Sequence, residues 1–189
     1  MSGRPAVFLD RDGTLTLESD WVRSPDDLVL LPGAARAVRR VNEAGLAAVL
    51  VTNQSAVARG LIDERALSAI HARLAAQLAA DGARLDGVYW CPHHPTEGVG
   101  ELRVACGCRK PAPGLLLRAA AELGLDLARS WIVGDAARDL EAGERAGVRG
   151  VLVATGKGTL ESGRARPTHY AADVDAATAW VVGRASQGR

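Results

Sequence analysis

Short apolar runs alternate along this chain with longer segments in which apolar residues recur at helical spacing. The short runs predict buried strands, because each is continuous and ends in polar residues. Strands that alternate with helices favour an α/β fold, with a parallel sheet covered by helices on both faces. The predicted strands cover residues 7–9, 46–51, 85–90, 131–133 and 150–154.

The longer segments predict amphipathic helices that pack on this sheet. In the longest of them Asp63 is a predicted N-cap, because it directly precedes the periodic apolar residues. His71 lies beside the apolar stripe of that helix and has no metal-binding partner at helical spacing. It is therefore interpreted as a surface histidine. The predicted helices cover residues 32–45, 63–80, 113–124 and 175–182.

Polar side chains follow three of the predicted strands. The first strand leads into Asp10 and Asp12, the next into Thr52 and Asn53, and a later strand into Asp135. Ligands of parallel sheets bind beyond the carboxyl ends of the strands, so these residues are candidates for one active site. Two carboxylates at this spacing can share a divalent cation, and the Thr52 hydroxyl and the Asn53 backbone amide can bond phosphate oxygens. The alternatives are a turn rich in Asp and Gly, and residues that merely cap elements.

All three cysteines lie in one short segment. Cys91 and His93 form one close pair, and Cys106 and Cys108 form another, which is how tetrahedral zinc sites are built. Four protein ligands would close the coordination sphere and make the zinc structural. His94 is the competing imidazole, and three incidental buried thiols are the alternative to a metal site.

The string DRDGTL at residues 10–15 resembles the first motif of the haloacid dehalogenase (HAD) superfamily. The Thr52-Asn53 pair resembles its second motif, and GDAARD at residues 134–139 its fourth. The resemblance implies that Asp10 is the nucleophile that takes the phosphoryl group and that Asp12 is the general acid and base. It also implies that Asp10, the backbone carbonyl of Asp12, and Asp135 bind Mg²⁺. Asp139 is interpreted as a supporting or helix-start residue.

CPHHP at residues 91–95 and CGCRKP at residues 106–111 resemble one branch of that superfamily, the D-glycero-D-manno-heptose 1,7-bisphosphate phosphatases. Histidinol-phosphate phosphatases are its neighbours. The resemblance implies a HAD-like Rossmannoid three-layer fold with a minimal cap and a structural zinc loop. It implies that Lys110 neutralises the transferred phosphate and that Arg109 contacts the substrate. The implied activity is Mg²⁺-dependent removal of the C7 phosphate through an aspartyl-phosphate.

The chain departs from that branch directly after Asp135. Many relatives have Lys at the next position, whereas this chain has Ala136, and Arg138 is the candidate spatial substitute. The departure weakens the substrate assignment more than the reaction assignment. Histidinol phosphate or another small phosphorylated metabolite is the alternative substrate, and a zinc-stapled, non-enzymatic binding module is the distant alternative.

Length and composition limit the remaining possibilities. The 189 residues predict a single domain over 1–183, with the zinc loop at 91–108 and a flexible tail at 184–189. A hydrophobic content of 48% and a net charge of +1 are typical of a globular protein and do not favour nucleic acid as a partner. No run predicts a signal peptide or membrane span, and the clustered cysteines fit a reducing compartment. We therefore expect a cytoplasmic monomer that acts on a small phosphorylated metabolite, with no membrane partner.

Overall fold

The computed structural model describes residues 3–187 and contains one six-stranded sheet whose neighbouring strands are all parallel. In chain order the strands are β1 (Ala6–Leu9), β2 (Ala47–Asn53), β3 (Gly87–Cys91), β4 (Trp131–Gly134), β5 (Arg149–Val153) and β6 (His169–Ala171). Their order across the sheet is β3-β2-β1-β4-β5-β6. The predicted parallel α/β architecture is confirmed.

Residues 3–187 form seven α-helices, of which the last follows β6 and the others lie between strands. They are α1 (Ala34–Glu43), α2 (Ser55–Ala58), α3 (Glu64–Ala80), α4 (Gly114–Leu123), α5 (Ala137–Arg145), α6 (Gly158–Glu161) and α7 (Val174–Gln187). Single 3₁₀ turns lie at Pro25–Asp27, Gly100–Leu102 and Leu127–Arg129. No helix in residues 3–187 combines the length and the apolar character needed to cross a membrane.

Alternate strand residues face two separate hydrophobic cores, which produces a three-layer structure. In β1, Val7 and Leu9 pack into the core covered by α1, α3 and α7. Ala6 and Phe8 point the other way, into the core formed with α4 and α5. All four side chains are buried, because β1 lies inside the sheet with helices over both faces.

The topology places the polar strand ends side by side. The chain leaves β1 between β2 and β4, so the residues that follow these three strands meet at one edge of the sheet. The connection after β1 (α1) and the connection after β4 (α5) cover opposite faces of the sheet, and ligands bind at such a switch point. Asp10, Thr52 and Asp135 all lie there.

Several local predictions agree with the structure. Asp63 is the N-cap of α3, where its carboxylate accepts a hydrogen bond from the backbone N–H of Ala66 at 2.7 Å. Gly124 ends α4 in the left-handed conformation. These signals are local, since a cap depends on the few residues around it.

Other expectations differ from the structure. His71 is buried rather than at the surface, because the face of α3 that carries it packs over the loop after β1. The last helix continues to Gln187, so residues 184–187 of the predicted tail are helical, and residues 188 and 189 lie outside the described range. The sequence analysis predicted no range for α5, although it interpreted Asp139 as a supporting or helix-start residue. It also did not predict β6, α2 or α6, which are only three or four residues long and too short to show a period.

Candidate active site and metal centre

Asp10 and Lys110 form a buried ion pair at the carboxyl end of β1. The Lys110 Nζ lies 2.9 Å from Asp10 Oδ1 and 2.7 Å from Asp139 Oδ1, and it donates to the Val51 carbonyl at 2.8 Å. The backbone N–H of Arg11 also donates to Asp10 Oδ1, at 2.8 Å. Both of these contacts to Asp10 involve Oδ1, so Oδ2 is the oxygen that remains for chemistry.

Charges around this pair decide its protonation. Burial would raise the pKa of Asp10, but the cations of Lys110 and Arg138 hold it below its ordinary value of 3.8. Burial would lower the pKa of Lys110, but Asp10 and Asp139 raise it. Asp10 is therefore a carboxylate, the form in which it can act as a nucleophile.

Asp135 approaches Asp10 from the end of β4. Its Oδ2 accepts the backbone N–H of Lys157 at 2.8 Å, whereas its Oδ1 is buried without a hydrogen-bond partner among the described residues. Burial, and then the charge of Asp10, raise the pKa of Asp135 to about 7. Carboxylate oxygens of Asp10, Asp135 and Asp139 all lie within 4.8 Å of one another. A cluster of acids with an unpartnered buried oxygen fits a hard divalent cation.

Two glycines allow the backbone to close around Asp135. Gly13, in the loop after β1, and Gly156, in the loop after β5, both have positive φ, of 80° and 57°. A Cβ atom on either residue would collide with the Asp135 carboxylate. Only glycine fits both the conformation and the space at these positions.

Asp12 is held by three side chains. Its Oδ1 accepts from Arg11 Nε at 2.9 Å and from the Thr16 hydroxyl at 3.2 Å, and its Oδ2 accepts from Gln54 Nε2 at 2.9 Å. Gln54 also accepts from Arg11 Nη2 at 2.8 Å and donates to Thr52 Oγ1 at 2.9 Å. The O–H of Thr52 has no acceptor among residues 3–187, so it can donate to a ligand in the pocket.

Five of the predicted site residues line a polar cavity of about 160 Å³ at this edge of the sheet: Asp10, Asp12, Thr52, Asn53 and Arg109. The loop after β1 forms one wall, with the half-buried Trp21, whose ring lies 4.9 Å from the Arg59 guanidinium. The lining includes four cations, Arg11, Arg109, Arg138 and Lys157. It also includes four carboxylates, those of Asp10, Asp12, Glu18 and Asp20, so the lining offers groups for an anionic ligand and for a cation beside it. The other lining residues are Asp10, Asp12, Glu18, Ser19, Asp20, Trp21, Val22, Thr52, Asn53, Gln54, Ser55 and Ala56.

Asn53 and Arg109 tie the pocket to the segment that contains the cysteines. The side-chain amide of Asn53 exchanges two hydrogen bonds with the backbone of Lys110, both at 3.0 Å. The Arg109 guanidinium lines the pocket and donates to the carbonyl of His93 at 3.0 Å. The side chain of Asn53 therefore positions Lys110.

The four predicted zinc ligands lie together beside β3. The sulfurs of Cys91, Cys106 and Cys108 are 3.1–3.5 Å apart, and His93 Nδ1 lies 3.6 Å from the Cys91 sulfur and 3.5 Å from the Cys108 sulfur. These sulfur separations are too long for a disulfide and close to the roughly 3.8 Å edge of a tetrahedron with Zn–S bonds near 2.3 Å. Three thiols and one imidazole form a donor set that fits zinc.

His94 points away from this cluster. Its Nδ1 accepts the backbone N–H of Glu97 at 3.0 Å, and its Nε2 lies 3.7 Å from the Glu97 carboxylate. Glu97 in turn forms an ion pair with Arg59. The structure thus brings His93, and not His94, to the cysteines.

The structure brings together Asp10, Asp12, Thr52, Lys110 and Asp135. Sequence analysis missed Arg11 and Gln54, which hold Asp12. Arg11 was visible as the residue between two motif aspartates, and Gln54 as the residue that follows a motif. Nothing local indicated that an arginine would be 1% exposed or that these two side chains would meet.

Comparison with known proteins identifies relatives that match most of the chain. A HAD-hydrolase-like family model matches residues 107–177. The D-glycero-beta-D-manno-heptose-1,7-bisphosphate 7-phosphatase of Yersinia pestis is 44% identical over 162 residues, which cover 85% of this chain and 86% of the relative. The Escherichia coli (strain K12) enzyme of the same name is 44% identical over 154 residues, 81% of each chain.

Solved structures give the same result. The crystal structure of D,D-heptose 1,7-bisphosphate phosphatase from B. bronchiseptica, complexed with magnesium and phosphate, superposes with a TM-score of 0.86 at 38% identity. The match covers 95% of this chain and 99% of that protein. The similarity therefore extends over the sheet and over the loops that line the pocket.

Proposed function

This chain belongs to the family of HAD-type D-glycero-beta-D-manno-heptose-1,7-bisphosphate 7-phosphatases, and from that membership we propose how its residues hydrolyse the substrate. The enzyme is a phosphoric monoester hydrolase that removes the 7-phosphate of the heptose bisphosphate and uses Mg²⁺. One observation carries the residue assignment. A lysine-paired carboxylate, Asp10, lies beside a second carboxylate, Asp12, at the end of β1.

In the first step Asp10 Oδ2 attacks the 7-phosphorus in line with the bond to the sugar oxygen. The new O–P bond gives an aspartyl-phosphate, and the bond from phosphorus to the sugar oxygen breaks. Lys110 and the backbone N–H of Arg11 hold Oδ1, which keeps the carboxylate charged and fixes its direction. Covalent catalysis divides one difficult displacement into two easier ones.

Asp12 moves the protons in both steps. It donates a proton to the departing sugar oxygen, which releases the heptose 1-phosphate. It then takes a proton from the water that attacks the aspartyl-phosphate, and inorganic phosphate leaves. Arg11, Thr16 and Gln54 hold Asp12 in one orientation through hydrogen bonds of 2.9–3.2 Å, so it requires little rearrangement between the two roles.

Charge on the phosphoryl oxygens must be offset in the transition state. The Thr52 hydroxyl and the pocket cations supply donors that are already oriented. Asp10, Asp135 and the backbone carbonyl of Asp12 would hold the Mg²⁺. When bound, Mg²⁺ supplies positive charge to the phosphoryl oxygens.

Zinc is the proposed structural ion of the Cys91, His93, Cys106 and Cys108 cluster. Its role would be to fix the segment that carries Arg109 and Lys110, because Arg109 donates to the carbonyl of the ligand His93. Closed four-ligand sites of this kind stabilise a fold without taking part in chemistry.

The activity assay uses heptose 1,7-bisphosphate, histidinol phosphate and a generic phosphomonoester, each with and without Mg²⁺. We expect Mg²⁺-dependent phosphate release that is fastest with the bisphosphate. The Asp10→Asn variant should lose activity by at least about 10⁴-fold, because an amide cannot form the acyl-phosphate.

Asp26→Asn is the matched control, since Asp26 is exposed and does not line the pocket. Both variants should keep the wild-type circular dichroism spectrum. An active Asp10→Asn enzyme would contradict the assigned nucleophile, and preference for histidinol phosphate would reassign the substrate.

The zinc assignment is tested by elemental analysis of the purified protein and of two histidine variants. His93→Asn should lose bound zinc and melt at a lower temperature, whereas His94→Asn should keep one zinc per chain. One zinc per chain in both variants would show that neither imidazole is needed to bind the metal, and loss of zinc from His94→Asn alone would make His94 the ligand.

A further inference from the structure

Lys110 already lies among three acceptors. An ammonium group has three N–H donors. The Lys110 Nζ donates to the Val51 carbonyl at 2.8 Å and forms ion pairs with Asp10 Oδ1 at 2.9 Å and Asp139 Oδ1 at 2.7 Å. Lys110 therefore holds Asp10 in place, and a second cation beside Asp10 would add direct contact with the transferred phosphate.

Three of the four cations that line the pocket are already engaged. Arg11 binds Asp12 and Gln54, Lys157 pairs with Glu18, with 2.6 Å between Nζ and Oε1, and Arg109 donates to a backbone carbonyl. These contacts hold the walls of the pocket in place. Arg109 and Lys157 keep further N–H donors, but their present contacts hold them against the walls.

Arg138 is the exception. Among residues 3–187 its side chain has no hydrogen-bond or ion-pair partner within 4 Å, and its Nε is buried without a partner. A buried donor without a partner carries a desolvation cost that a bound anion would relieve. Arg138 stands in the first turn of α5, directly before Asp139, and lines the same cavity as Asp10.

The surroundings of Arg138 keep it charged. Burial opposes the charged form, but the carboxylates of Asp139, Asp10 and Asp135 more than offset this, so the pKa of Arg138 is raised. Ala136, directly after Asp135, is buried and brings no charge to this wall. The positive charge that faces Asp10 from α5 therefore comes from Arg138 alone.

We propose that the Arg138 guanidinium binds the oxygens of the transferred phosphoryl group, while Lys110 orients Asp10. The proposal rests on the phosphatase function proposed above. A guanidinium presents a planar fork that can bind two phosphate oxygens at once. As charge shifts during the displacement, this fork stabilises the transition state more than the bound substrate.

The test compares Arg138→Met and Arg138→Lys with wild type on heptose 1,7-bisphosphate and on p-nitrophenyl phosphate. We expect kcat/KM to fall by about 10²-fold for Arg138→Met on both substrates, since both carry the phosphate that is transferred. Arg138→Lys keeps the charge without the fork and should fall in between. Arg73→Met is the matched control, because Arg73 is exposed on α3 and outside the pocket.

Binding of orthovanadate, measured by calorimetry with Mg²⁺ present, gives a second readout that does not depend on turnover. Its Kd should rise by at least about 10-fold in Arg138→Met and stay unchanged in Arg73→Met. If wild type hydrolysed neither substrate, the proposed function would fail, while vanadate binding would still test Arg138.

Two results would overturn the proposal. Wild-type kcat/KM in Arg138→Met would show that the guanidinium does not contact the phosphoryl group. A loss confined to the bisphosphate, with p-nitrophenyl phosphate hydrolysis and vanadate binding unchanged, would assign Arg138 to the remote phosphate instead. Unfolding curves of all variants control for stability.

Discussion

The position of the Asp12 carboxylate is fixed by the side chains around it. Arg11, Thr16 and Gln54 all donate to its two oxygens. Arg11 is almost fully buried, and a buried guanidinium needs partners on every side. Gln54 supplies one, and His71 another, with 3.4 Å between His71 Nε2 and Arg11 Nη1. A helix residue sixty positions from Arg11 thus helps to hold Asp12, the proposed general acid and base.

This contact predicts a pH dependence of stability. Burial, and then the charge of Arg11, lower the pKa of His71 from 6.5 to about 4. The unfolded chain takes up a proton on His71 below about pH 6.5, whereas the folded chain does so only near pH 4. The neutral imidazole therefore stabilises the fold fully above that range, and this contribution is lost as the pH falls towards 4.

The measurement is urea unfolding of wild type and His71→Gln at pH 7 and at pH 4.5. Wild type should lose on the order of 2 kcal/mol more than the variant over this interval. Glutamine keeps a group that can accept from Arg11 but does not titrate. Equal losses in the two proteins would mean that His71 has the same pKa in the folded and unfolded states.

At the scale of elements, the site depends on two glycine loops that close on one strand end. The loop after β1 and the loop after β5 both press against Asp135, at Gly13 and Gly156. The Thr155 hydroxyl donates to the carbonyl of Gly13 at 2.6 Å and joins the two loops. The approach of these loops, and not the strand itself, sets the space around the Asp135 carboxylate.

Gly156→Ala tests that approach. The added Cβ must displace Asp135 or the loop, so we expect kcat/KM to fall by about 10²-fold. Gly147→Ala is the control, because Gly147 also has a positive φ, of 74°, but has open space around its Cβ. Both variants should lose about 1–2 kcal/mol of stability from backbone strain. If Gly156→Ala kept wild-type kcat/KM, the close approach would not matter for the reaction.

The cysteine segment is the second feature at the scale of elements. It begins at Cys91, the last residue of β3, and comes back to this cysteine at Cys106 and Cys108, immediately before Arg109 and Lys110. The cluster therefore fixes both ends of a long excursion close to the two cations that follow it. Arg109 links the cluster to the pocket through the carbonyl of His93.

At the scale of the whole molecule, the Arg4 contacts and the pocket lie at opposite ends of the sheet. Near the amino end of β1, Arg4 donates to the carbonyls of Gly45 and Leu46 at 3.0 and 2.7 Å and to Asp86 at 3.1 Å. These contacts join the starts of three neighbouring strands. The proposed catalytic groups lie beyond the carboxyl ends, separated from Arg4 by the full length of β1.

Arg4→Met should therefore reduce stability without affecting catalysis. We expect a loss of about 1–2 kcal/mol, because the hydrogen bonds involve a charged group that is partly exposed. The value of kcat should match wild type at a temperature where both proteins are folded. Arg65→Met, at an exposed position on α3, is the control for the loss of one charge. A large fall in kcat would show that the two ends of the sheet are coupled.

The sequence by itself determined the alternation of five strands with four helices, the parallel sheet and the candidate residues at the strand ends. The sequence predicted four of the site residues because a buried strand appears as a continuous apolar run, and each of these residues stands shortly after such a run. They are Asp10, Asp12, Thr52 and Asp135. The Asp63 cap was readable for the same reason. The four candidate zinc ligands were visible because all three cysteines lie in one segment, close to a histidine.

Only the tertiary structure decided which of these groups meet and what supports them. The contacts of Arg11 with Gln54 and His71, and the unpartnered state of Arg138 beside Asp10, involve residues 43 to 128 positions apart. A repeat of apolar residues shows that a side chain is buried, but not which distant side chain it faces. That choice follows from the strand order and from how the helices pack over the sheet.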